Sequence, residues 1–169
     1  MVTHESAEPW LMLVYKLPRQ PSRLRVNLWR KIKKMGLLYL QDSVCIAPSS
    51  GQWEEQLRWL SAEIVEVGGT ATIWRCAGDT STQDRDIIAA FRAERQKDYD
   101  ALLARIRAEM SRMEKQPFDR DRDRNNLGLL RRAYQFARNK DFFNPTGSSE
   151  VEKALDELQG RLDRLEASS

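Results

Sequence analysis

Two amphipathic helical segments, each stopped by glycine, sit between short runs of apolar and β-branched residues within the first 78 positions, and this alternation limits the fold more than any other feature. Residues 10–17 (WLMLVYKL) end at Pro18 and are too short for a self-supporting helix, so they predict a strand. Pro21 and Ser22 open the next segment, where Leu24, Leu28, Ile32 and Met35 repeat at helical spacing and Gly36 supplies the stop. Residues 37–41 (LLYLQ) and 43–48 (SVCIAP) predict two strands joined tightly around Asp42 and Ser43, side chains that bond to nearby backbone in turns. Trp53, Leu57, Leu60, Ile64 and Val67 mark a second helix from about Gln52 to Val67, closed by Gly68 and Gly69. Residues 70–76 (TATIWRC) predict a fourth strand. The order βαββαβ predicts an α+β ferredoxin-like sandwich over residues 10–78, with two helices covering one face of a four-stranded antiparallel sheet, after a mobile N-terminus at 1–9.

Residues 79–169 form a helical region of different composition. Ser81 with Asp84 predicts a capped start, after which Ile88, Phe91, Tyr99, Leu102, Ile106, Met110 and Met113 keep helical spacing until Pro117. A further helix is predicted near Arg120–Asn139, with Leu127, Leu130, Tyr134 and Ala137 on one face and Gly128 weakening it. Asn144, Pro145 and Gly147 then break the chain. Ser149 and Glu152 predict a capping box ahead of Val151, Leu155, Leu158, Leu162 and Leu165, a narrow seam that requires a neighbouring helix. A helical hairpin or three-helix bundle follows, packed either on the sheet or across a dimer.

The soft and imidazole ligands in the chain are Cys45, Cys76 and His4, whose scatter excludes the usual zinc spacings. Both cysteines fall in predicted strands, as small buried thiols do. A single histidine near the N-terminus leaves a Ser-His-Asp or Cys-His arrangement without a base, and no phosphate-loop or dinucleotide fingerprint is present. The chain is therefore expected not to be an enzyme and to hold no cofactor or metal. The alternating FDRDRDRNN segment (Phe118 to Asn126) resembles a cation loop, but its interleaved arginines would repel the ion. The longest apolar run, Trp10 to Tyr15, is far shorter than the ~20 residues of a membrane helix, and a cytoplasmic protein away from membranes is expected.

Charge is unevenly distributed. Residues 1–50 carry eight Lys/Arg against three Asp/Glu, and from Lys16 to Lys34 no acidic residue intervenes. At 100° per residue, Leu24, Leu28, Ile32 and Met35 share one side of the first helix, while Arg23, Arg30, Lys33 and Lys34 fall opposite with Val26, and Trp29 lies at the flank. A face that only solvates the helix has no need of Val26 and Trp29. The pattern reads as a DNA- or anion-binding surface built from Arg19, Arg23, Arg25, Arg30, Lys33 and Lys34. The competing reading is a partner surface centred on Val26 and Trp29, on a protein-interaction or dimerisation module that touches no DNA.

The segment LPRQPSRLRVNLWRKIKKMG (Leu17 to Gly36), followed by LYLQDSVCIAP, resembles the N-terminal domain of the ChrB family of bacterial chromate-resistance regulators. The likeness continues through WLSAEI, NKDFF and SSEVEKAL. It implies a cytoplasmic, dimeric transcriptional regulator that binds promoter DNA and releases it when chromate is present. The family usually continues into a second domain, so a separate sensor domain is a further implied partner. Independently of the resemblance, Arg19, Arg23 and Arg25 surround the start of the first helix, where free backbone N–H groups and the helix dipole favour anions, a place suited to a phosphate or a chromate oxyanion. The sheet portion also resembles the ferredoxin-like domains of PaaX-type repressors and Cas2-like nucleases. The nucleases carry an acidic residue at the end of the first strand, where this chain has Tyr15 and Lys16, so nuclease activity is the weaker alternative.

Overall fold

A computed structural model describes residues 8–143 and 147–168. His4, Asn144, Pro145 and positions 1–7 of the N-terminal stretch expected to be mobile lie outside the described residues. Described elements run β1 (Trp10–Lys16), α1 (Arg23–Met35), β2 (Leu38–Gln41), β3 (Val44–Pro48), α2 (Gly51–Glu66), β4 (Thr70–Cys76), α3 (Ser81–Lys115), α4 (Arg120–Asn139) and α5 (Gly147–Ala167). The chain divides into two compact units between Ile87 and Ile88, within α3.

The first unit is α+β. Its sheet has the order β2-β3-β1-β4, with every neighbouring pair antiparallel. β1 is therefore central and is flanked by two strands distant from it in sequence. Residues opposite one another across a ladder share a face. Leu11 pairs with Ala47, and Leu13 with Cys45, and all four are fully buried. Toward that face α2 turns Trp53, Leu57, Leu60 and Ile64, and α1 turns Leu28 and Ile32. Ser49 N–H donates to the Pro9 carbonyl at 2.8 Å, which ties the entry to β1 against the exit from β3.

Helix ends follow their local chemistry. Gly36 sits at φ 86°, a left-handed value that an L side chain rarely adopts, and its N–H closes α1 on the Lys33 carbonyl. Ser50 caps α2 through its hydroxyl, which accepts from Trp53 N–H. At the start of α3 the expected pair of Ser81 and Asp84 does not form the cap. Thr80 Oγ1 accepts Gln83 N–H, while Asp84 Oδ1 accepts from Gly78 N–H at 2.8 Å and from the Trp10 indole at 2.7 Å. Asp84 binds the sheet to this turn rather than capping it. α5 likewise begins at Gly147, so Ser149 lies inside the helix and not at its N-cap.

The turn after α2 is tightly constrained. A Cβ placed on Gly69 would lie 2.5 Å from the Lys16 carbonyl oxygen and 2.9 Å from that of Ile64, both backbone atoms that cannot rotate aside. Gly69→Ala is therefore expected to destabilise the protein by about 1–3 kcal/mol, the usual range for overpacking, read as a lowered midpoint of chemical unfolding.

The second unit contains the remainder of α3 with α4 and α5. Tyr99, Leu102 and Ile106 from α3, Leu127, Leu130 and Ala137 from α4, and Val151, Leu155, Leu158 and Leu162 from α5 form one core. Val151, Leu155, Leu158 and Leu162 of the α5 seam are thus buried within the chain, and Leu165 is half-buried. Around this core, Tyr99 donates to Asp141 at 2.8 Å, and Arg124 makes a two-pronged contact with Glu166 at 2.5 and 2.8 Å. The FDRDRDRNN segment is structural. Asp119 caps α4 by accepting Arg122 N–H, and the Asp123 carboxylate is buried against Arg112 at 2.5 Å and Arg122 at 3.2 Å. No helix among the described residues is long and apolar enough to cross a membrane.

Candidate functional site

α1 carries the basic segment, and its cations separate into distinct rows. Leu28 and Ile32 anchor one side of the helix in the core. On the side next to α2, Lys31 pairs with Glu63. Lys31 is thereby removed from the run of cations without counter-charge that the sequence displays. On the outer side, Arg23, Arg30 and Lys34 are exposed, and among the described residues they have no carboxylate partner. Arg19, in the loop before α1, is likewise exposed and has no such partner among them. Val26 lies on this outer side with 45% of its surface exposed.

The start of α1 differs from the expected nest of bare amides. Leu24 N–H donates to the Pro21 carbonyl and Arg25 N–H to the Ser22 carbonyl, both at 3.2 Å, in a tight first turn. Ser22 makes no side-chain cap, and no acidic residue occupies the turn. An anion arriving here would meet guanidinium groups rather than those two amides, and Arg25 is directed elsewhere.

Arg25, Trp29 and Lys33, spaced four residues apart, occupy the remaining side of α1 and line an open groove of about 730 Å³. Tyr15 and Lys16 at the end of β1, Tyr39 and Gln41 of β2, and the turn residues Asp42 and Ser43 complete its lining with Leu17. Trp29 is 52% exposed. Of the residues singled out in the sequence, the structure therefore brings Arg25, Trp29 and Lys33 together in the groove and leaves Arg19, Arg23, Val26, Arg30 and Lys34 outside it.

The hydroxyls of Tyr15 and Tyr39 meet at 2.8 Å. Although the two strands are not neighbours, Cys45 of the intervening β3 pairs with Tyr39, and Tyr15 N–H donates to the Ser43 carbonyl. A small thiol in the middle row leaves room for the rings to converge over it. Burial raises the pKa of Tyr15, with the bond from Tyr39 opposing, and burial together with the bond to Tyr15 raises that of Tyr39 well above the ordinary phenol range. Both phenols stay protonated at neutral pH. One of their two protons is used between them, so the other is available to an incoming acceptor. Burial pushes the Cys45 thiol up to about 12, which makes it an unreactive packing group.

Tyr15, Lys16, Tyr39 and Gln41 were not among the residues selected from the sequence. Alternation along β1 and β2 assigns each tyrosine a face, but only the strand order puts those faces side by side. Ser43, at φ 63°, shows how the two-residue turn is made, and a bulge between Tyr39 and Gln41 shifts the register of the β2 end that borders the groove.

The sequence model of the family described as "Protein ChrB, N-terminal" matches residues 25–168. A curated relative, "Protein ChrB" of Cupriavidus metallidurans, is 24% identical over 157 residues, a span covering 92% of this chain and 47% of the relative. The chain thus spans about half the length of the curated relative it matches. No solved structure matches the chain.

Proposed function

The chain belongs to the ChrB N-terminal family, and from that premise we propose that it is the promoter-binding part of a chromate-resistance regulator, meeting duplex phosphates with the outer side of α1. The observation that carries this reading is the row Arg23, Arg30 and Lys34, joined by Arg19, exposed and without carboxylate partners among the described residues. Exposed guanidinium and ammonium groups on one rigid helix can neutralise successive phosphates and release their counterions. We read the β2-β3-β1-β4 sheet as that of a ferredoxin-like sandwich that acts as the rigid support for this helix. A cytoplasmic homodimer is the form that matches a two-fold operator, and a separate sensor domain is its further partner. Chromate is the effector in this reading, a doubly charged oxyanion suited to Arg19 and Arg23, with sulfate as its natural competitor. We read the protein as non-enzymatic, since β1 ends in Tyr15 and Lys16, which offer a metal ion no carboxylate.

A mobility-shift titration of the promoter duplex over a range of salt concentrations tests the reading. Contacts from Arg19, Arg23, Arg30 and Lys34 should give a slope of log affinity against log salt of about −3 to −4 per copy. Exposed Val26 and Trp29 support the second reading, a module that binds another protein. Co-purification of a partner together with a salt-independent or absent DNA shift would favour it.

A further inference from the structure

The row Arg25, Trp29 and Lys33 is solvent-accessible like the outer row, but it borders a concave surface. It faces a groove that also offers a third cation, a pair of protonated phenols and three short polar side chains. We propose that this groove binds a single unstacked nucleotide, its phosphate held by Arg25 and Lys16 with Lys33 beside them and its base laid on the Trp29 ring. The proposal rests on α1 being a phosphate-contacting helix, but not on those phosphates belonging to a duplex.

Three properties of the groove favour this ligand over simpler ones. Its volume of about 730 Å³ lies within the range of roughly 300–1,000 Å³ usual for small-ligand sites. Its cations Lys16 and Arg25 outnumber its one carboxylate, Asp42, which favours an anionic ligand. An inorganic oxyanion would satisfy those charges but leave Trp29 half-exposed, with no partner for the ring. A nucleotide engages both, because every base has a π-face and stacking on an aromatic side chain tolerates any sequence. The remaining lining groups are suited to base edges. Gln41 both donates and accepts, Asp42 accepts from exocyclic amino groups, and the spare phenol proton of the Tyr15–Tyr39 pair meets a ring nitrogen or carbonyl. Duplex DNA cannot use the site without opening, since its base faces are buried in the stack and only an extruded or unpaired base can lie flat on Trp29.

One chemistry has two sources here, a free nucleotide acting as an effector or an unpaired residue within a polynucleotide, and the test separates them. The full chain is titrated with labelled oligothymidylate and with a duplex of equal length, and the bound oligothymidylate is then challenged with thymidine 5′-monophosphate or with inorganic phosphate. Oligothymidylate should bind. Trp29→Ala should weaken that binding by about tenfold or more, in line with the loss of one base–aromatic stack, and should change duplex affinity by less than about twofold. Because Trp29 is half-exposed, the variant should melt with the wild type. If it does not, the competition on wild-type protein decides.

Displacement by thymidine 5′-monophosphate, at a concentration where inorganic phosphate has no effect, supports the site and identifies free nucleotide as a ligand. Displacement by neither, with oligothymidylate binding still dependent on Trp29, supports a site reserved for polynucleotide. The proposal is overturned if oligothymidylate does not bind, if phosphate competes as well as the nucleotide, or if Trp29→Ala affects single strand and duplex alike. A chain that ignores duplex yet binds oligothymidylate through Trp29 would overturn the promoter reading and leave this one standing.

Discussion

Replacing Arg23, Arg30 and Lys34 together with glutamate is expected to lower affinity for promoter duplex by a hundredfold or more while leaving the fold intact. An ion pair at 4 Å in water is worth about 1 kcal/mol, so losing three phosphate contacts removes about 3 kcal/mol, and the reversed charges add repulsion. At 1.4 kcal/mol per decade that exceeds a factor of one hundred. None of the three side chains is buried or paired with a carboxylate among the described residues, so thermal unfolding should be almost unchanged. The neutral triple glutamine variant discriminates further, because removing three charges should make the salt slope shallower by about 2.7. Full affinity in the glutamate variant, measured by mobility shift at fixed salt, would show that α1 does not meet DNA. The protein-interaction reading through Val26 and Trp29 would then be the one to pursue.

The largest effect on stability is expected in the helical unit, at Asp123. Its side chain is 1% exposed and accepts from Arg112 and Arg122, and Asp119 N–H donates to its second oxygen at 3.2 Å. Asp123→Ala should cost about 3 kcal/mol, the low end of what breaking a buried pair costs, because Arg112 is partly exposed and can regain water. Acid dependence provides a second measurement. Burial works against the charged carboxylate of Asp123, but the Asp119 amide and the two arginines outweigh it and hold the pKa below its ordinary value. The bond from Arg112 likewise lowers Glu109, against the opposing effect of burial. Both carboxylates titrate lower when folded than when unfolded, so their contribution is fully present above about pH 5 and is lost as pH falls through the folded values, below about 4. Urea midpoints measured from pH 7 to pH 3 should fall at the acid end in the wild type. In Asp123→Asn the acid limb should be shallower, and an identical limb would show that this network contributes nothing.

Local patterns proved sufficient wherever one segment sets its own boundaries. The four-residue steps of Leu24, Leu28 and Ile32, with Gly36 beyond them, gave α1 its buried side and its end, and the observed helix runs from Arg23 to Met35. The Asp42–Ser43 hairpin, the strand from Thr70 to Cys76 and the helix from Arg120 to Asn139 follow for the same reason. Capping was less legible. Thr80 rather than Ser81 accepts the Gln83 amide, and whether Asp84 turns toward the helix or toward Trp10 depends on a strand far earlier in the chain.

By itself the amino-acid sequence determined the succession of strands and helices, the family, and the concentration of positive charge on α1, because periodicity, stop residues and charge are properties of neighbours along the chain. Only the tertiary structure decided which of those charges belong to which surface. Lys31 found Glu63, the outer row remained without a carboxylate among the described residues, and Arg25, Trp29 and Lys33 came to border two tyrosines from strands that never touch in sequence. The physical reason is the strand order: with β3 and its small Cys45 lying between β1 and β2, hydroxyls from non-adjacent strands converge beside the helix, and a groove arises that no single segment encodes.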